Sequence, residues 1–280
     1  MARRFLPSPS SAVRAVVVGD ESHAEFGATV AALRAMAAVR GFSRVADALE
    51  WMQSGDERPI VDLIVLLQAR PGEMVAEQVA QIQRATPLSR IVALAGSWCE
   101  GEPRSGRPLP GIERVYWYDW SFWLTREISP SRGTSPGKIG NTDGTGLATA
   151  TLGIYTWRLV DYEALAAASK LCGAAASVWL DPRTIVAKGD GLSSISLLLW
   201  DGRYGDADEL FAVQQIAKRF PGRPLVAIFS FPRFEAMAQA RDWGISAILA
   251  KPLRIDDLHS ALKLARGAAV TESSHRMDVA

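Results

Sequence analysis

Lysine is scarce in this 280-residue chain: six Lys stand against 25 Arg, and none occurs before Lys138. Any chemistry that needs a lysine ammonium is therefore excluded from the first 137 residues. Histidine and cysteine are equally sparse, with three His (His23, His259, His275) and two Cys (Cys99, Cys172) too dispersed for a zinc-ligand spacing or a disulfide framework. A reducing, cytoplasmic setting follows as the expectation. Net charge is nearly absent, at +1, which argues against a nucleic-acid partner. No apolar run approaches the ~20 residues of a membrane span, and the start, MARRFLP, has no apolar core behind it, so neither a membrane role nor a signal peptide is expected.

What is present is apolar and aromatic: 48% hydrophobic residues and nine Trp. That is ample for two buried cores, at ~100 to 200 residues per domain. Between Arg126 and Leu147 the text REISPSRGTSPGKIGNTDGTGL is rich in Ser, Gly, Thr and Pro and reads as a linker. The predicted organisation is a mobile N-terminus (1–12), a first domain (13–127), a flexible linker (128–147), a second domain (148–267) and a mobile tail (268–280).

Both halves alternate short branched apolar runs with segments of helical spacing. In the second half the runs ATATLGIYT, SVWL, SISLLLW, PLVAIFS and SAILA alternate with segments such as YEALAAASKLCG and ADELFAVQQIAKRF. The first half repeats the order, from AVRAVVVG through VDLIVLLQ and RIVALAG to RVYWY. Strand, helix, strand, helix implies a parallel sheet covered on both faces. A shift of 133 residues carries Gln68 onto Asp201, Gly72 onto Gly205, Ser97 onto Ser230 and Tyr118 onto Lys251, so one unit is used twice.

The run from Gly244 to Lys251-Pro252, placed 50 residues after Asp201 and followed by an amphipathic last segment, resembles the end of a bacterial response-regulator receiver (CheY-like) domain. The first half resembles the same family through VVVGDE and VDLIVLLQARPG. The resemblance implies two tandem α/β, doubly wound (βα)5 domains of flavodoxin type, with five-stranded parallel sheets in the order 2-1-3-4-5 and site residues at the carboxyl ends of the strands. It also implies a chemistry. An Asp after the third strand accepts a phosphoryl group, and an acidic pair after the first strand holds Mg²⁺. A Ser or Thr and a Lys, after the fourth and fifth strands, contact the phosphoryl oxygens.

Neither half carries the whole set. In the first, Asp20 and Glu21 leave half of an acidic site, with Gly19 in the other place; no acid occurs from Leu63 to Gly72, and Tyr118 stands where the lysine would. In the second, Asp201, Ser230 and Lys251 match the acceptor, hydroxyl and clamp positions, but no Asp or Glu occurs from Gly146 to Val160. Mg²⁺ should then bind weakly, and only with a phosphorylated Asp201; Asp201 and Lys251 are expected instead to form a fixed ion pair. Both domains thus read as pseudo-receivers.

The segment Gly96–Gly111 has four Gly and three Pro, so a loop is expected in place of the helix between strands four and five. It is followed by Tyr116, Trp117, Tyr118, Trp120, Phe122 and Trp123 within eight residues. Trp98, Arg104, Arg107, Tyr118, Trp120 and Trp123 are the candidate interaction surface, because Trp, Tyr and Arg most often anchor interfaces. The leading expectation is a non-enzymatic adaptor in a two-component-type pathway, independent of phosphorylation, meeting a protein partner such as a histidine kinase or another regulator. Homodimerisation is an open alternative. Two other readings remain: a regulator phosphorylated on Asp201, and a small-molecule sensor using the second-half crevice near Thr156, Asp201, Ser230 and Lys251.

Overall fold

The computed structural model describes residues 13–54, 59–128, 147–184, 192–240 and 242–277. Two compact units divide between Gly133 and Thr134, inside the segment expected as a linker, of which residues 129–146 lie outside the described residues, as does the N-terminus 1–12.

In the first unit the strands are β1 (Arg14–Val18), β2 (Ala38–Phe42), β3 (Leu63–Gln68), β4 (Arg90–Ala95) and β5 (Glu113–Tyr116), and the helices α1 (Ala24–Met36), α2 (Val45–Gln53), α3 (Ala76–Ala85), α4 (Glu102–Ser105) and α5 (Trp120–Glu127). All pairings are parallel, in the order β2-β1-β3-β4-β5. The second unit repeats this with β6 (Thr151–Tyr155), β7 (Ala176–Leu180), β8 (Ile195–Asp201), β9 (Leu225–Phe229) and β10 (Ile245–Ala250), ordered β7-β6-β8-β9-β10, and with α6 (Leu159–Leu171), α7 (Ala207–Arg219), α8 (Phe234–Ala240) and α9 (Ile255–Met277). Counted within each unit, both sheets have the order 2-1-3-4-5 that the resemblance implies.

The central strands show why. LIVLLQ in β3 is buried at every position, as a strand covered by helices on both faces must be, whereas AVRGF in β2, at the edge, is exposed or half-buried throughout. Each fully buried Val, Leu or Ile contributes roughly 1.5–3 kcal/mol. Val79 and Ile82 of α3 close one face over Val16, Ile64 and Leu66, while in the second unit Leu210, Val213 and Ile216 of α7 lie over Leu198 and Trp200. Asp206 caps α7, its carboxylate accepting the Glu209 N–H at 2.9 Å.

Two boundaries differ from expectation. Leu147 is buried, so it belongs to the second core and not to the linker. The segment expected as a tail carries helical backbone, because α9 continues through Met277. Where α4 should be, the glycines and prolines leave one short 3₁₀ turn, Ser97–Cys99, and the four residues of α4.

Candidate functional site

The carboxyl ends of the strands gather the matched positions of each unit onto one edge. In the second unit β8 ends on Asp201, which is nearly buried, and β10 delivers Lys251 beside it. Lys251 Nζ lies 2.6 Å from Asp201 Oδ1 and donates to Gly202 O at 2.7 Å. The other carboxylate oxygen, Oδ2, accepts from Thr156 Oγ1 at 2.7 Å. Thr156 is itself fixed, since Trp179 Nε1 donates to its carbonyl at 3.0 Å. Both oxygens of the matched acceptor therefore carry a donor from a rigid part of the sheet.

The loop after Asp201 would supply backbone donors to any anion formed there. Glu209 takes them. Its carboxylate accepts from Arg203 N (2.8 Å), Tyr204 N (3.1 Å) and Gly205 N (2.8 Å). Sequence reasoning missed Glu209, although Asp206-x-x-Glu209 at a helix start is a spacing that commonly turns a glutamate back over its own N-terminus. Ser230 is half-buried, and its N–H donates to Arg203 O at 2.6 Å; its hydroxyl bonds to neither Asp201 nor Lys251 among the described residues.

These donors do not suit Mg²⁺, which the fold family implies. After β6 the chain offers Thr156, Trp157 and Arg158 where carboxylates would be needed, and Arg158 is held by Asp161 through two contacts of 2.7 Å. Among the described residues no three His, Cys, Asp or Glu side chains are grouped to hold a metal. Arg158 also brings a cation near Asp201, the reverse of the expected field.

In the first unit the same edge is built without charge at its centre. Gln68 ends β3 fully buried, and neither its Nε2 nor its Oε1 meets a hydrogen-bond partner among the described residues. Ser97, matching Ser230, gives its hydroxyl proton to Glu25 and accepts from Trp117 Nε1 at 2.9 Å. Glu25 is buried and also accepts the Ser97 N–H at 3.1 Å, so α1 is tied to the turn after β4. That approach requires Gly96, where a Cβ would stand 2.4 Å from Glu25 Oε2. Tyr118, matching Lys251, hydrogen-bonds Glu100; burial holds the Glu100 carboxyl above its ordinary range and the Tyr118 phenol far above its own.

Asp20 and Glu21 do not form a joint acidic site. Asp20 is exposed and accepts from the N–H of Ser22 at 2.9 Å and from its hydroxyl, which lowers its pKa, while Glu21 is paired with Arg34 at 2.6 Å. The companion acid cannot simply be restored. Gly19 sits at φ +132°, and a Cβ there would stand 2.7 Å from Leu67 Cβ.

The aromatic cluster is corrected in three of its members. Trp120 and Trp123 are 1% and 2% exposed, stacked on each other with centroids 4.9 Å apart, so they are core and not surface. Their N–H groups are used internally, Trp120 on Thr29 O and Trp123 on Glu113 Oε1, both at 2.9 Å. The cause is α5, a helix that the aromatic run concealed and that lays its first turn on α1. Tyr118 is half-buried and stacked on Tyr116. Trp98, at 72% exposure, and Arg104 and Arg107 remain outside.

No family model matches the chain, and no curated protein does. Solved structures similar to it include a putative pilus assembly-related protein from Burkholderia pseudomallei, 22% identical over 43% of this chain and 92% of its own, with a TM-score of 0.39. A CheY-like response regulator receiver domain protein from Methanospirillum hungatei is 16% identical over 44% and 98%, at 0.35. The C-terminus of Escherichia coli RcsC, with its linker region and phosphoreceiver domain, is 15% identical over 95% and 96%, at 0.36. With the strand order 2-1-3-4-5 formed twice, and Asp201, Ser230 and Lys251 standing at the ends of the third, fourth and fifth strands of the second sheet, the chain is a tandem pair of parallel α/β domains of flavodoxin-like fold.

Proposed function

We propose that this protein is a non-enzymatic signalling adaptor of the two-component type, cytoplasmic, in which both receiver-like units act through protein contacts and without phosphoryl transfer. The observation that carries this reading is the engagement of Asp201: one oxygen bears Lys251, the other bears Thr156, and the loop amides beyond it are taken by Glu209. A carboxylate oxygen that carries a hydrogen-bond donor or an ion-pair partner is a weaker nucleophile toward phosphorus, and a phosphoryl group needs donors and Mg²⁺ to neutralise its oxygens. Here the donors are occupied and the metal ligands are replaced by Thr156, Trp157 and Arg158. In the first unit Gln68 has no nucleophilic oxygen of comparable charge, and the lysine clamp is absent.

The grouping of Asp201 with Lys251 also favours a second reading, a regulator phosphorylated on Asp201. Incubating the full chain with a small phosphodonor and Mg²⁺, followed by intact-mass measurement, separates the two. The adaptor reading expects no adduct; a phosphate adduct that disappears in Asp201→Asn establishes the second.

A further inference from the structure

The segment 97–111 and its neighbours Glu25, Arg70 and Glu73 look balanced in charge along the sequence, yet the fold engages the two signs differently. Each carboxylate has a partner within the unit, with Glu25 and Glu102 buried, Glu100 half-buried and Glu73 exposed. Glu25 holds Ser97; Glu73 accepts the Ala69 N–H at 2.7 Å; Glu100 bonds Tyr118; Glu102, its side chain 3% exposed, pairs with Arg114 at 2.6 Å. The arginines Arg70, Arg104 and Arg107 are exposed, and none meets a carboxylate among the described residues. Trp98 is 72% exposed, with the Arg70 guanidinium 5.9 Å from its ring, and Arg104 and Arg107 follow it on the same segment.

We propose that this edge of the first unit is a docking surface for an acidic protein segment, Asp and Glu side chains meeting Arg70, Arg104 and Arg107 and an apolar side chain covering the Trp98 ring. The proposal deepens the protein-contact reading and rests on it. Charge complementarity selects the occupant. Three guanidinium groups fit carboxylates in bidentate pairs, and a Trp beside them is the residue type that carries interface energy once water is excluded. An anionic membrane is matched by larger clusters, about four to eight basic residues, and a nucleic acid by a basic domain, whereas this chain is nearly neutral.

The test titrates the full chain into a fluorescently labelled peptide of Glu, Asp and Leu at low and high salt. Parallel arms use phosphatidylglycerol vesicles and a single-stranded oligonucleotide. The expected result is saturable peptide binding that weakens with salt and falls about tenfold in the triple variant Arg70→Ser, Arg104→Ser, Arg107→Ser, and also falls in Trp98→Ala, with unchanged thermal unfolding. Absence of binding at low salt, equal binding by the variants, or tighter binding of vesicle or oligonucleotide through the same arginines overturns it. A phosphate adduct on Asp201 would remove the phosphorylation-independent reading and leave this surface standing, so the two failures are distinguishable.

Discussion

The two units end the same strand of the same fold in opposite ways. At the end of β8 the second unit keeps an ionised group and neutralises it with a partner on β10's end and another after β6. At the end of β3 the first unit carries a neutral amide, Gln68, fully buried and without a hydrogen bond among the described residues. A buried charge requires compensation or it destabilises the fold by several kcal/mol, whereas a buried amide costs only about 1–3 kcal/mol unpaired. The first unit therefore needs no lysine at this edge, whereas in the second the Asp201 carboxylate depends on Lys251 for compensation.

The comparison is most sharply tested inside the first unit, by two tryptophans. Trp120→Ala removes a fully buried ring and its bond to Thr29, and should lower the stability of that unit by roughly 3–5 kcal/mol; Trp98→Ala, at an exposed ring, should stay within about 0.5 kcal/mol. Hydrogen exchange of β3 and β8 core amides reads the two units separately, which a single melting curve of a two-unit chain does not. Comparable losses from both substitutions would contradict the burial assigned to Trp98.

Next in size is Lys251→Met. It leaves Asp201 with Thr156 alone and should destabilise the second unit by roughly 1–3 kcal/mol, less than a fully buried pair because the lysine side chain is 36% exposed. Adding Asp201→Asn should return most of that loss. A double variant no more stable than Lys251→Met would mean that the pair is not what holds the edge together.

Gln68→Leu should act in the opposite direction and raise the first unit's stability by about 1 kcal/mol, since it removes two unpaired polar atoms from a dry environment. A loss instead would show that the amide has a partner in solution.

The smallest effect separates the units by pH. Burial pushes the Cys99 thiol up to about 12 and the Cys172 thiol up to about 11. A raised folded-state pKa favours the neutral thiol, so its contribution is complete below the ordinary thiol pKa of 9.0 and disappears as pH rises toward the folded value. Stability should decline above pH ~9 in both units. Cys99→Ala should flatten that decline in the first unit only, and Cys172→Ala in the second only.

Much of the fold was legible because it depends on periodicity. Short branched runs separated by helical spacing set the elements, and the 133-residue repeat set their equivalence. The boundaries that escaped were local: α5 was hidden because WSFW reads equally as strand or helix, and α9 continues to Met277 through a polar stretch with no apolar pattern to announce it. At the site, the residues matched by position, Asp201 and Lys251, do meet. Of the supporting groups, Glu209 had a local signal in the Asp206-x-x-Glu209 spacing, whereas Thr156 meets Asp201 from the neighbouring strand and Glu25 meets Ser97 72 residues away, contacts of which spacing along the chain carries little trace.

The amino-acid order alone determined which chemistry is absent: without a lysine before Lys138 or an acid between Leu63 and Gly72, no folding of the first unit could assemble a receiver's phosphorylation set. It also determined two parallel sheets, since branched runs of strand length must be covered on both faces. Only the tertiary structure decided which tryptophans are surface and which are core. Only it decided that Glu25, Glu100 and Glu102 are wholly or partly buried on internal partners while Arg70, Arg104 and Arg107 are exposed. Composition counts charges, but the direction of each one is set by the neighbour that compensates its loss of water, and those neighbours are brought together only by the fold.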